Sequence, residues 1–236
     1  MRNLQLKMVL LVATLILGCF GFAWSEDYQA PGLSPRPQCE QSQLLFGMCF
    51  NKNMDGAIQE TESKTFKDDF QDVVRQAEHY LEGIAPAPNK VVITDLDETL
   101  VNNTPYYKRY KAFQPDTWET WLKDSKPNPF NPAVLDLLKN AKQRGFSVMF
   151  ITGRPSFQGH NTLEQLATGF QWDGIYLKPR GIQISATQYK ASVRQMLRNM
   201  GYEIVMTIGD QPSDLDQPIS PAHGQFLLPN VMYSIP

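Results

Sequence analysis

Four acidic residues fall into two pairs: Asp95 and Asp97 in "VVITDLDETLVNN", and Asp210 and Asp214 in "IGDQPSDL". Each pair follows a β-branched, apolar run, which places it at the end of a buried strand. Residues two apart in a strand point the same way, so the carboxylates of Asp95 and Asp97 are expected to emerge together. Carboxylates crowded there repel unless a positive charge balances them. Oxygen ligands with no His or Cys beside them suit a hard cation, with Mg²⁺ favoured when a phosphate shares the site. The partners a phosphate itself would need are Thr152 in "FITGR", followed by Gly153 and Arg154, and Lys190 in "YKASVR". Lys178 in "YLKP", also at a strand end, competes with Lys190.

The elements that must position these residues are visible as periodicity. "KVVIT" (90–94), "FSVMFIT" (146–152), "GIYLK" (174–178) and "YEIVMTIGD" (202–210) read as buried parallel strands. Phe66, Phe70, Val73, Val74, Ala77 and Leu81 follow helical spacing up to a stop at Gly83. Further helices are expected from Asn131-Pro132 to Gly145, from about 161 to 170, and from about 187 to 200. Strand and helix in alternation predict an α/β fold, a Rossmann-like doubly wound parallel sheet. An aromatic-rich insertion at 101–131, holding Tyr106, Tyr107, Tyr110, Phe113, Trp118 and Trp121, interrupts that rhythm after the first strand, at the sheet edge where such folds bind ligands. Trp118 and Trp121, three apart, read as a buried helix stripe. The tyrosines nearest Asp97, Tyr106 among them, are expected to meet substrate, and stacking on a base points to 5'-nucleotides.

The chain of 236 residues is long enough for one well-buried domain with an appendage. Its formal charge of -2 excludes a broad polyanion-binding surface, so no nucleic acid polymer is expected as a partner. Arg2 and Lys7 before an apolar run at 8–24, then "AWS", read as a signal peptide over 1–25 and hence as export to a periplasm or medium. Lipidation at Cys19, giving an outer-membrane lipoprotein, and an uncleaved anchor are the alternatives. Export makes Cys39 and Cys49 a disulfide, stabilising by roughly 2 to 3 kcal/mol, within an extended arm over 26–60. His79, His160 and His223 have no metal-ligand spacing.

Taken together, "DLDETL", "FITGR", a downstream Lys and "GDQPSDL" resemble the four motifs of the haloacid dehalogenase-like (HAD-like) phosphotransferases. "YKASVR", "MGYEIVMTIGDQPSDL" and "LLPNVMY" narrow the resemblance, over about residues 66–236, to class III (subfamily IIIB) acid phosphatases, which include plant vegetative storage proteins and bacterial outer-membrane lipoprotein phosphatases. The resemblance implies a HAD-like domain over 61–236, with Asp95 as nucleophile and Asp97 as acid and base. It implies Thr152 and Lys190 on the phosphoryl oxygens. The implied Mg²⁺ ligands are the Asp95 carboxylate, the Asp97 main-chain carbonyl and Asp210, with Asp214 nearby or acting through water. A proton donor at Asp97 favours phosphatase over dehalogenase chemistry. The expected function is an exported, Mg²⁺-dependent acid phosphatase for small phosphomonoesters; the alternatives are a noncatalytic storage or binding protein and a phosphotransferase to alcohols.

Overall fold

A computed structural model describes residues 36–40, 44, 45, 47–124, 128–167, 169–181 and 183–235. The expected signal peptide, Cys19 and the first residues of the arm lie outside the described residues. In chain order the elements are β1 (Cys49–Phe50), α1 (Met54–Glu62), α2 (Lys64–Glu82), β2 (Lys90–Thr94), α3 (Thr104–Tyr110), α4 (Pro115–Lys123), α5 (Pro132–Arg144), β3 (Ser147–Pro155), α6 (Gly159–Ala167), β4 (Gly174–Lys178), α7 (Ala186–Asn199), β5 (Glu203–Gly209), β6 (Gln225–Leu227) and β7 (Tyr233–Ser234).

Five strands form one parallel sheet in the order β4-β3-β2-β5-β6. The chain lays β3 and β4 on one side of β2, then crosses back to place β5 and β6 on the other. The order therefore reverses between β2 and β5, the crevice where open α/β sheets hold ligands. Alternation along the strands fills both faces: Val92, Val148, Phe150 and Met206 pack with Leu81 of α2 and Leu137, Leu138 and Ala141 of α5. Val91, Ile93, Met149 and Ile151 face Tyr189, Val193 and Leu197 of α7 on the opposite side. The helices start and stop where their caps dictate. Ser63 accepts the Phe66 N–H (3.1 Å) to open α2, and Gly145 at φ 100° ends α5 in the left-handed region. Ser185 and Gln188 form a reciprocal capping box at the start of α7.

A second core lies off the sheet. Met54, Ala57 and Ile58 of α1, Tyr106 and Tyr107 of α3, Trp118 of α4 and Val231, Met232 and Tyr233 of the C-terminal segment bury one another. Two expectations change here. The arm is not extended through residue 60, because Met54, Ala57 and Ile58 make an i, i+3, i+4 stripe and the Asn53 side chain caps the Gly56 N–H (3.0 Å), so a helix forms from 54. Tyr106 is fully buried, with rings of Tyr107, Tyr110, Trp118 and Trp121 within 6 Å of its own, so it packs the insertion's own core. Trp118 is core, as the stripe reading expected. The disulfide between Cys39 and Cys49 is present, with Cα atoms 5.6 Å apart.

The Tyr106 hydroxyl accepts the Gln114 N–H (3.1 Å) and meets the Thr117 hydroxyl (2.9 Å). Tyr106→Phe is therefore expected to cost about 1 kcal/mol in urea unfolding while leaving kcat/KM unchanged; a fall in kcat/KM would return Tyr106 to the site.

Candidate active site

Every residue singled out by the motifs sits at the carboxyl edge of the sheet or beside it. Asp95 follows β2, and its N–H donates to the Ile208 carbonyl of β5 (3.1 Å), which ties the two strand ends together. Lys190, in the first turns of α7, reaches across: its Nζ lies 2.7 Å from Asp95 Oδ1 and also pairs with Asp214 Oδ1. All three are buried. Burial pushes the Asp95 carboxyl well up; Lys190 opposes this, and Asp214, Asp210 and Asp97 add to it. Burial would lower the Lys190 ammonium, but Asp214 and Asp95 outweigh it, so Lys190 is held charged above its ordinary range. Lys178, its rival in sequence, is only half-buried at the end of β4, and partial burial alone lowers its ammonium. Lys190 is the one that reaches the cluster.

Asp97 behaves differently from its neighbour, and not as strand alternation predicts. The strand ends at Thr94, and Glu98 takes φ 56°, turning the chain so that the Val101 N–H meets the Leu96 carbonyl (2.7 Å). Beyond the strand, the Asp97 carboxylate meets Arg154, whose Nε and Nη2 grip Oδ2 and Oδ1 at 2.9 and 2.6 Å. A register shift in β3 between Thr152 and Pro155 presents that arginine: it exposes Gly153 and buries Arg154. Gln165 and Thr162 of α6 take the other guanidinium nitrogen (3.0 and 3.2 Å), and the Trp118 ring lies under it at 5.6 Å. Asn103 donates to Asp97 Oδ1 (2.9 Å), is itself bonded by Asn128, and Asn128 accepts from the Trp121 indole (2.8 Å). Burial would raise the Asp97 carboxyl, yet Arg154 and Asn103 hold it below the usual carboxylate range. Thr152, one of the expected phosphate partners, is buried with its hydroxyl accepting the Arg154 N–H (3.1 Å).

Asp95, Asp210 and Asp214 bring ligand oxygens within 4.8 Å of one another, so three of the four expected carboxylates converge and Asp97 does not. Asp210 is fixed on all sides: Thr99 donates to Oδ1 (3.1 Å), and Gln211 and Asn230 donate to Oδ2 (2.6 and 2.7 Å). Gly209 lies against Asp214 so closely that a Cβ there would overlap it. Two groups escaped the sequence reading. Arg36, from the arm, pairs with the Asp210 carbonyl and donates to the Leu228 carbonyl (2.7 Å). Glu98 buries both carboxyl oxygens without a well-formed hydrogen bond, and burial followed by Asp97 and Asp210 pushes it well up. No local pattern marks Arg36; Glu98 lies inside "DLDETL" but carries no expected role. Were all five carboxyls (Asp95, Asp97, Glu98, Asp210 and Asp214) ionised, they would exceed the three cations (Arg36, Arg154 and Lys190) by two charges; burial and mutual repulsion instead push Asp95, Glu98 and Asp210 up, and the all-oxygen donor set suits a hard divalent cation. His79, His160 and His223 are exposed, His79 lying beside Glu82 and His160 beside Glu164.

Residues 34–236 match the model of the HAD superfamily, subfamily IIIB (acid phosphatase). The chain belongs to this subfamily. The phosphatase is 34% identical to vegetative storage protein 1 of Arabidopsis thaliana over 183 residues, covering 74% of this chain and 67% of that one. It is 34% identical to acid phosphatase 1 of Solanum lycopersicum over 152 residues, 61% of this chain and 59% of that one. Its fold is similar to the class C acid phosphatase from Bacillus anthracis, with a TM-score of 0.59 at 17% identity over 77% of this chain and 85% of that one. The phosphatase is accordingly a HAD-like phosphoric monoester hydrolase, and the family match takes in Arg36 and the arm as well as the sheet.

Burial, then Asp214, raises the Asp210 carboxyl from 3.8 to about 6 in the metal-free site. A carboxyl raised on folding contributes stability that is full below its unfolded value and lost as pH climbs through the folded one. Asp95 has the same sign; Asp97 has the opposite sign, but it titrates below 3.8. In EDTA, urea unfolding is expected to show stability falling from about pH 4 to about pH 7, on the order of 3 kcal/mol from Asp210 alone, and Asp210→Asn should flatten that slope.

Proposed function

We propose that the phosphatase is an exported, Mg²⁺-dependent enzyme that hydrolyses small phosphomonoesters through an aspartyl phosphate on Asp95. The observation that carries this reading is the contrast between two aspartates only two residues apart: Asp95 is paired with Lys190 in the carboxylate cluster, while Asp97 is clamped by Arg154 and Asn103. Asp95 must ionise to attack and Asp97 must carry a proton to give, the reverse of their directions in the metal-free site, so the roles rest on placement: Asp95 lies among the ligand oxygens, where a divalent cation would favour its ionised form, and Asp97 lies outside them. Asp95 attacks phosphorus, and the bond to the leaving oxygen breaks as Asp97 gives that oxygen a proton. Water then attacks the phosphorus of the aspartyl phosphate, its proton passes to Asp97, and the bonding pair returns to the Asp95 carboxylate as inorganic phosphate leaves.

Lys190 spends two of its three donors on Asp95 and Asp214, and the third is left for a phosphoryl oxygen, with Thr152 as the second holder. Asp95, the Asp97 carbonyl and Asp210 would hold Mg²⁺, with Asp214 beside them; when bound, the ion offsets charge on the transferring group. Two relatives bear the name vegetative storage protein; a noncatalytic role is disfavoured by the intact pairing of Asp95 with Lys190. Export is supported by the Cys39–Cys49 disulfide, and intact-mass analysis should find a mature chain starting near residue 26.

Activity should vanish in EDTA and return with Mg²⁺. Asp95→Asn removes the acceptor of the phosphoryl group and should abolish turnover of every ester. Asp97→Asn should still form the aspartyl phosphate from p-nitrophenyl phosphate, whose leaving group needs no proton, and then hydrolyse it slowly. A burst followed by a slow steady rate, with one phosphate on Asp95 in acid-quenched protein, is expected. Wild-type turnover of both aryl and alkyl esters by Asp97→Asn would overturn the assignment.

A further inference from the structure

Arg36 belongs to the arm, yet its guanidinium reaches the centre of the fold. Nη1 donates to the main-chain carbonyl of Asp210, 174 residues away in sequence, and Nη2 to that of Leu228, 192 away (2.7 Å). These carbonyls lie just past the ends of the neighbouring parallel strands β5 and β6. One planar fork therefore spans two strand ends and seats the backbone from which the Asp210 carboxylate projects.

The arm also reaches the other end of Asp210. Three residues after Arg36, Cys39 is bonded to Cys49 of β1, and β1 pairs antiparallel with β7, setting Cys49 opposite Ser234 and Phe50 opposite Tyr233. Ser234 closes the loop with a hydrogen bond to the Pro37 carbonyl. The Asn51 N–H and side-chain amide donate to the Met232 and Val231 carbonyls (2.8 and 2.9 Å). The segment so fastened carries Asn230, which donates to Asp210 Oδ2, and the Tyr233 carbonyl, which accepts from the Gln211 amide that also donates to Oδ2. The Ile235 N–H donates to the side-chain Oε1 of Gln211 (2.9 Å). Arm, disulfide and C-terminal strand thus grip Asp210 by its main chain and by its carboxylate at once.

We infer that the disulfide-clipped arm is a positioning strap for the cation site, and that Arg36 is its positioning residue: it acts on the bound ion through the placement of Asp210 and not through its own charge. This rests on the reading of Asp210 as a ligand. Partners that orient a ligand typically carry about a tenfold to hundredfold share of metal affinity. The sign of the effect separates placement from charge. A cation beside a divalent site repels the ion, so if charge were the whole role, Arg36→Gln would tighten binding and Arg36→Lys would leave it unchanged. Placement requires the two-carbonyl fork, which neither variant has.

The test is Mn²⁺ binding, read from the electron paramagnetic resonance signal of the free ion, to the intact disulfide-bonded chain without substrate. Arg36→Lys and Arg36→Gln are both expected to bind about tenfold more weakly than wild type. Cys39→Ser/Cys49→Ser, which leaves Arg36 in place but frees the arm, should show a similar loss, and adding Arg36→Lys to it should cost little more because both act through one strap. Unchanged affinity in Arg36→Lys, tighter binding in Arg36→Gln, or fully additive losses would each overturn the inference. So would variants whose melting temperature falls while their Mn²⁺ affinity, measured where they remain folded, stays wild-type. A wild-type chain that binds no Mn²⁺ would sink the ligand reading itself; binding equal in wild type and variants would sink the strap alone.

Discussion

Carboxylates buried within 4.8 Å of one another oppose folding, and the architecture around Asp95, Asp210 and Asp214 is arranged against that repulsion. Removing such charges from water costs several kcal/mol each unless hydrogen bonds and countercharges offset it. The offsets come from separate parts of the chain: Lys190 from α7, Thr99 from the turn after β2, Gln211 and Asn230 from the loops after β5 and β6. The reversal of strand order between β2 and β5 is what lets these pieces converge, because it opens the one crevice that both strand ends border. Gly209 shows how little slack remains, since any side chain there would displace Asp214.

The same constraint explains the division between the two aspartates of the first motif. Asp95 stays inside the cluster and is pushed up by burial and by its acidic neighbours; Asp97 leaves it and is held down by Arg154. What separates them is backbone geometry. The strand ends at Thr94, so Asp95 and Asp97 lie beyond it and its two-residue period no longer sets their directions. A divalent cation beside Asp95 would supply the charge that lets a nucleophile in so acidic a pocket ionise.

Much of the scaffold was legible in the chain because it rests on local periodicity. The strands around Val92, Phe150, Ile175 and Met206, and the helices ending at Gly83, Gly145 and Gly201, appear where apolar spacing and caps put them. Asp95 and Asp210, each a charge placed immediately after a strand, and Lys190, singled out by its resemblance to the family motif, are brought together by the fold. What was not legible depends mostly on long-range contact. The Asp97 side chain lies beyond the end of β2 and meets Arg154 from β3 instead of following the strand alternation, and α1 is a short stripe interrupted by Gly56, too brief to stand out by period. Tyr106 looked available because it is near Asp97 in sequence, but rings brought in from α4 close over it. Arg36 meets its partner across 174 residues and leaves no trace in any window.

These failures share a location: they fall in the pieces outside the sheet. Parallel strands and their covering helices are specified by repeating patterns, whereas the insertion, the arm and the C-terminal segment have no repeat and are held by one another's side chains. Each is nevertheless committed to one acidic group of the site, the insertion to Asp97 through Asn103 and Asn128, the arm and C-terminal segment to Asp210 through Arg36 and Asn230. The sheet brings the carboxylates together, and these irregular segments set their separate orientations, which is the property that distinguishes a group able to attack phosphorus from one able to exchange a proton with the leaving oxygen.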